Sequence, residues 1–162
     1  MITLVLVRHA KSDWNAVRED GEPVLDDHDR PLNDRGRRDA PRMARRLAET
    51  GFRPDALLSS TAVRARTTAE AFASELGVRV STDPGLYGAP ARALLAAAAA
   101  TRRPSVLVVA HDPGMSVLAA HLSDDGIGHM PTCAVARFTW EVDDWDVATV
   151  LDPDDWTLDT PR

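Results

Sequence analysis

Cysteine is nearly missing from this chain of 162 residues: Cys133 stands alone. An intrachain disulfide is therefore excluded, and a reducing compartment is the expectation. No apolar run is long enough to cross a bilayer; the longest, 93–100, is far too short. The first residues lack the charged stretch, apolar core and small-residue cleavage site of a secretory leader, so a cytoplasmic location is expected and no membrane partner. Basic excess is lacking too. The net charge of −6 argues against a general nucleic-acid binder, although it leaves room for a local positive pocket. What remains is 44% hydrophobic, enough for one domain of this length to bury a core.

The apolar residues fall into short runs. Ile2–Val7, Ala56–Ser59 and Ser105–Ala110 are brief and almost continuously apolar, the pattern of strands buried on both faces, and Val78–Val80 is a weaker candidate. Helical patterns lie between them. Asn33 is placed to cap a helix running to about Thr50, with Gly36, Ala40, Met43, Ala44 and Leu47 on one face, and Pro41 should kink or restart it. Ser60 or Thr61 should cap the next helix, which Gly77 ends; Ala89–Arg103 is alanine-rich and helical. Asp112 and Pro113 suit the start of a further helix, with aspartate as cap and proline in the first turn. The alternation of strand and helix predicts a three-layer α/β/α domain with a mostly parallel central sheet. Ala134–Trp140 and Asp146–Val150 read as a C-terminal antiparallel hairpin around the polar 142–145 stretch, and 151–162 as a loosely held tail. The whole of 1–162 is read as one domain, without repeats or linkers.

The polar residues concentrate where the apolar runs stop. The first run ends in Arg8-His9, with Lys11 close behind. The second leads into Ser59-Ser60-Thr61 and then Arg64. The third ends in Ala110-His111-Asp112. Parallel strands would gather these ends on one edge of the sheet, where open α/β proteins bind ligands. Two arginines, two histidines and nearby helix N-termini would then converge, and the group best suited to such a place is phosphoryl. Arginine neighbours disfavour protonation of His9 and keep it available as a nucleophile, base or ligand. Adjacent arginines also disfavour a bound cation, so no metal and no cofactor is expected. Asp26, Asp27, His28 and Asp29 look like metal ligands at first sight, but a polar loop is the better reading.

Arg8-His9-Ala10 resembles the RHG signature of the histidine phosphatase superfamily, whose fold is called phosphoglycerate-mutase-like. Arg8 to Ser12, RHAKS, is similar to the short SixA-type phosphohistidine phosphatases. Asp29-Arg-Pro-Leu32 with Gly36, the 59–67 stretch SSTAVRART, and Val109-Ala-His111-Asp-Pro-Gly114 extend the likeness in order along nearly the whole domain. The resemblance implies that His9 attacks phosphorus and becomes phosphohistidine, while Arg8, Arg64 and His111 hold the phosphoryl oxygens; Lys11 and Asn15 are candidate substrate contacts. Many members of the family place a glutamate in mid-chain to protonate the leaving group. The corresponding stretch here, 84–90, has no acid. Alkoxide leaving groups need that proton, whereas a phosphoramidate nitrogen can be protonated beforehand. Asp13 or a water is the remaining proton source.

The stretch between Arg64 and His111 also leaves little chain for a lid, and an open site would admit a protein surface. The expected activity is therefore a cofactor-free phosphatase acting on phosphohistidine in a protein, with a monomer expected. A small-molecule phosphomonoesterase is the second reading, and a phospho-ligand binding module without turnover is the third. A phosphomutase would need a lid, and a metal enzyme would have to use His9 and His111 as ligands.

Overall fold

The computed structural model describes residues 1–24 and 26–162. Six strands of the described residues form one sheet: β1 (Ile2–Arg8), β2 (Ala56–Ser59), β3 (Val80–Thr82), β4 (Ser105–Ala110), β5 (Val135–Trp140) and β6 (Asp155–Asp159), in the order β3-β2-β4-β1-β5-β6. The pairs β3·β2, β2·β4 and β4·β1 are parallel; β1·β5 and β5·β6 are antiparallel. Among the described residues, five α-helices accompany it: α1 (Asp34–Glu49), α2 (Val63–Leu76), α3 (Ala91–Ala100), α4 (Gly114–Leu122) and α5 (Trp145–Ala148). Among the described residues, no helix is long and apolar enough to cross a membrane.

The strand alternation creates the layers. On β1, Ile2, Leu4 and Leu6 face one side with Val106 and Val108 of β4, packing on Leu94 and Ala98 of α3 and Met115 and Leu118 of α4. Val5 and Val7 face the other side with Leu107 and Val109, and there they meet Met43, Ala44 and Leu47 of α1 and Ala65, Ala69 and Phe72 of α2. The side-chain period of two in a strand makes both faces apolar only when every residue is apolar. That is why the short continuous runs are the central strands.

Local chemistry sets the boundaries. Asn33 caps α1, its side chain accepting from the Gly36 amide at 2.9 Å. The helix continues through Pro41 as one unbroken span. Gly77 closes α2 in the left-handed region at φ 68°, where a side chain would cost strain. β3 begins two residues later than the 78–80 expectation.

Three further expectations are corrected. Neither Ser60 nor Thr61 is the residue at the N-cap of α2; Ala62 is, with no side-chain cap bond, because the Ser60 hydroxyl is engaged by His111 as well as by the Ala62 amide. The 112–113 pair lies just ahead of α4, which starts at Gly114, although the Asp112 carboxylate still accepts from the Ser116 amide at 2.9 Å. The largest correction concerns the C-terminus. Asp146–Val150 does not pair with β5. Asp144 caps a short helix instead, its carboxylate accepting from the Asp146 amide at 2.7 Å, and Trp145 and Ala148 are buried together from one helical face. The antiparallel partner of β5 is β6, inside the stretch expected to be a loose tail, with Phe138 opposite Trp156. Trp156 packs so closely on Gly126 that a Cβ there would lie 2.4 Å from its ring.

Gly36 gives a test of how α1 fixes the loop after β1. A Cβ at this position would stand 2.1 Å from the Lys11 carbonyl oxygen. Helix propensity alone would make Gly36→Ala stabilising by about 1 kcal/mol. The close approach predicts the opposite sign, a loss of about 1–3 kcal/mol, measurable by urea unfolding.

Candidate active site

The parallel order β2-β4-β1 brings three carboxyl ends together. Arg8 is in register with Ala110, and Ser59 with Val109. Beyond the last pairs, the His9 amide still donates to Ala110 O at 3.1 Å and the Ser60 amide to Val109 O at 3.0 Å. His9 and Ser60 therefore leave the sheet with their backbones tied, and His111 follows directly on Ala110, the carbonyl that holds His9. Two further bonds hold the first loop. The Ala10 amide donates to the Thr68 hydroxyl at 3.0 Å, which itself donates to Arg64 O at 2.8 Å, joining β1's exit to α2. From the other side the Cys133 amide reaches the carbonyls of Arg8 and His9.

A pocket of about 340 Å³ opens at this edge, lined by Arg8, His9, Lys11, Ser12, Trp14, Asp27, Arg30, Arg64, His111, Asp112 and Thr132. The structure thus brings Arg8, His9, Arg64 and His111 together and adds Lys11. It does not bring in Asn15, which is exposed outside the lining with its amide on the Asp13 carboxylate at 2.8 Å. Asp13 is outside the lining as well.

His9 Nδ1–H donates to Ala10 O at 2.8 Å. A carbonyl can only accept, so this bond places the ring proton on Nδ1 and leaves the lone pair of the neutral ring on Nε2. Burial, followed by the positive charges of Arg64, Arg8 and Arg30, lowers the His9 pKa to about 4 despite the opposing effect of the Ala10 bond. Its ring lies 5.1 Å, centroid to centroid, from that of His111. His111 Nε2 pairs with the Ser60 hydroxyl at 2.7 Å, and burial, with His9 and Arg64 nearby, lowers its pKa to about 3. Both imidazoles are therefore neutral at pH 7.

The guanidinium groups are anchored at one end. Arg8 Nη1 donates to Met130 O at 2.9 Å and stands 3.4 Å from the Asp112 carboxylate. Arg64 reaches the Asp27 carbonyl and carboxylate at 2.7 and 2.9 Å. Arg30 is buried, binds the Asp27 carboxylate and the Ser12 hydroxyl, and carries the indole of Trp14 3.6 Å from its guanidinium carbon. Arg8 Nε, Arg64 Nε and His111 Nδ1 are buried without a hydrogen-bond partner among the described residues. Two of these, the guanidinium Nε atoms, are N–H donors; orphaned buried donors are costly, and a pair of them around one pocket matches a ligand rich in acceptor oxygens. Among the described residues, no group of three or more His, Cys, Asp or Glu is arranged to hold a metal ion.

The sequence left Asp27 in a polar loop; the structure makes it a pocket carboxylate. Hydrogen bonds from Tyr87, Arg30 and Arg64 hold it well below the usual carboxylate range, so it is ionised. Tyr87 lies in the 84–90 stretch that has no acid. Its hydroxyl donates to Asp27 at 2.5 Å, and that bond raises its own pKa. Neither group is poised to give up a proton.

The fold and this pocket define an α/β protein with a neutral histidine set among phosphate-type donors at the strand ends. The family model described as histidine phosphatase superfamily (branch 1) matches residues 4–88. A protein assigned as the phosphohistidine phosphatase SixA of Agrobacterium tumefaciens superimposes with a TM-score of 0.75 at 31% identity, covering 85% of this chain and 91% of that one. A second SixA assignment, from Nakamurella multipartitia, gives a TM-score of 0.83 at 26% identity over 99% and 96% of the two chains. An uncharacterized chloroplastic protein of Arabidopsis thaliana is 28% identical over 170 residues, 96% of this chain and 75% of its own. The chain belongs to the histidine phosphatase superfamily and is a histidine-type phosphatase.

The depressed imidazoles have a measurable consequence. Between the ordinary histidine value of 6.5 and about 4, His9 is neutral in the folded chain but takes a proton on unfolding. The unfolded state then binds more protons, so stability rises with pH across that window and is lost as pH falls through it. Urea midpoints should fall between pH 7 and pH 5, and His9→Ala should flatten that slope.

Proposed function

We propose that this phosphatase removes the phosphoryl group from phosphohistidine in a protein, through a phosphohistidine formed on His9. The observation that carries the reading is the His9 ring itself: neutral, with its free lone pair on Nε2, in a pocket lined by Arg8, Arg64 and His111. In the first step Nε2 attacks phosphorus and the bond to the leaving group breaks, the leaving group keeping the electron pair. Arg8 and Arg64 stay charged and spread over the phosphoryl oxygens, where the charge is carried during transfer. With the Ser60 hydroxyl donating to His111 Nε2, the His111 Nδ1–H is a further donor to the phosphoryl group. In the second step water attacks the phosphorus, the bond to Nε2 breaks and inorganic phosphate leaves.

Leaving-group chemistry favours a P–N bond. Asp27 is ionised and Asp112 is paired with Arg8 and Ser116, so the pocket carboxylates are occupied as acceptors. A phosphorylated imidazole protonated at its second ring nitrogen leaves as a neutral imidazole and needs no donor from the enzyme. The SixA assignments of the relatives at 31% and 26% identity support the same substrate class. The stretch from Arg64 to His111 is taken up by α2, β3, a 3₁₀ turn, α3 and β4, leaving the pocket mouth free for a protein surface. Trp14, 70% exposed at the rim, is a contact for that surface. A cytoplasmic monomer without a cofactor is part of this reading.

Wild type should dephosphorylate a phosphohistidine protein and yield an acid-labile phosphoenzyme, while His9→Ala should lose at least ~10³-fold in turnover, the scale on which removal of a nucleophile acts. Equal turnover by the two would defeat the role of His9. Preference for sugar or nucleotide phosphates in a substrate panel would transfer the site to small phosphomonoesters.

A further inference from the structure

Asp27 lies at the pocket mouth in the 3₁₀ turn Asp27–Asp29, with its side chain 48% exposed. Despite that exposure, both oxygens are fully used. Oδ1 accepts from Arg30 Nε at 3.1 Å and Nη2 at 2.9 Å. Oδ2 accepts from Arg64 Nη2 at 2.9 Å and from the Tyr87 hydroxyl at 2.5 Å. Its backbone carbonyl takes Arg64 Nη1 at 2.7 Å. A carboxylate has about four lone-pair sites, and four donors fill them. No site is left for a substrate proton.

These contacts come from three separate parts of the chain. Arg64 belongs to α2, Tyr87 follows the 3₁₀ turn at 84–86, and Arg30 ends the same turn as Asp27 and reaches on to Ser12 beside the nucleophile loop. Tyr87 is held from a second direction, its ring edge-on to His111 at 5.5 Å and to His28 at 5.2 Å. One side chain therefore ties together the phosphate-side arginine, a buried second arginine and the segment packed on His111.

We infer that Asp27 is the positioning residue of the phosphoryl pocket, clamping Arg64 and Arg30 so that their remaining N–H groups keep one geometry. Arg64 spends one N–H of each Nη on Asp27. The second N–H of each, and the buried unpartnered Nε, remain. A planar fork fixed along one edge presents its other donors rigidly, which is what oriented phosphate recognition needs.

Two physical effects of this carboxylate oppose each other, and their signs separate positioning from simple charge. A negative group in an anion pocket weakens phosphate binding by repulsion; removing it should then tighten binding. A clamp does the reverse: without it the arginines lose their geometry, and binding and transfer both weaken.

The inference rests on reading the pocket as a phosphoryl site, so the test uses inorganic phosphate as well as turnover. Asp27→Asn keeps the shape but replaces acceptors with an amide that cannot satisfy both arginines. In folded protein, checked by its urea transition, this variant should bind inorganic phosphate ~10-fold more weakly by calorimetry. Its kcat on a phosphohistidine protein should fall by ~100-fold, more than KM rises. Unchanged or tighter phosphate binding overturns the inference. Wild type that fails to bind phosphate overturns both this and the phosphoryl reading. Wild type that binds phosphate without phosphohistidine turnover defeats only the proposed substrate, and the phosphate comparison still decides Asp27. Should Asp27→Asn not fold, the guanidinium ¹⁵N–¹H spectrum of wild type decides: separate, slowly exchanging Nη signals for Arg64 support the clamp, and an averaged signal overturns it.

Discussion

Crowding of positive charge beside a buried imidazole is the constraint from which the rest of this molecule follows. Arg8, Arg30 and Arg64 all act on His9, and each lowers its affinity for a proton. Left uncompensated, three guanidinium groups at one sheet edge would repel one another strongly in a partly dry site. Two carboxylates relieve this in different places: Asp112 stands beside Arg8, and Asp27 lies between Arg30 and Arg64. The compensation is incomplete by design of the lining, which holds four cationic side chains, Lys11 included, against those two acids. The remaining positive potential favours an anion, while the imidazole it surrounds is kept in the neutral form that can attack one.

Holding such groups together requires a rigid frame, because electrostatic repulsion acts against it. The frame is the centre of the sheet. β1 is paired on both sides, with β4 parallel and β5 antiparallel, and is buried on both faces. The chain leaving it is fixed at every step: His9 to Ala110, Ala10 to Thr68, and the Arg8 and His9 carbonyls to the Cys133 amide. Gly36 lets α1 approach the Lys11 carbonyl more closely than any side chain would allow. Core packing thus reaches the His9 ring through only a few covalent bonds, and geometry rather than strength of any one contact determines what the site can do.

Much of this was legible in the residues, for an identifiable reason. A strand buried on both faces must be apolar throughout, so β1 and β4 announce themselves, β2 reads the same way although one of its faces is only partly buried, and the polar residues that break those runs must lie at the sheet edge. Arg8, His9, Arg64 and His111 follow from that rule together with parallel order. The hairpin did not follow, because the 146–150 stretch DVATV suits a strand by composition, yet Asp144 is a stronger local signal as a helix cap, and Trp145 and Ala148 bury only at helical spacing. Asp159 and Trp156 looked like tail residues because β6 is largely exposed and carries aspartate at both ends, a composition that protects an edge strand. Asp27, Tyr87 and Thr68 were hidden for another reason: each acts on a partner 37 to 60 positions away, and nothing in the local pattern marks such a meeting. Asn15 was drawn in by nearness in sequence, but the loop turns it outward.

The same charges have a second consequence once the pocket is filled. A bound phosphoryl dianion reverses the local field, so the effect that holds His9 near 4 weakens as substrate arrives. Protonation of Nε2 would then become easier just when, on the proposed reading, its lone pair is needed. Two features oppose that outcome. Burial, the largest cause of the depression, does not depend on the arginines and persists with ligand in place. The Nδ1–H bond to Ala10 also fixes the ring so that Nε2 is the face left for phosphorus, and a lone pair engaged with phosphorus is not available to a proton. On the proposed reading the leaving imidazole brings its own proton, and the pocket has no free acid to compete for the nucleophile: Asp27 is ionised, and the Tyr87 hydroxyl is committed to it. On that reading the site is poor at expelling an alkoxide and well suited to a P–N bond, because the groups that would keep the nucleophile bare are the ones that leave no donor for an oxygen leaving group.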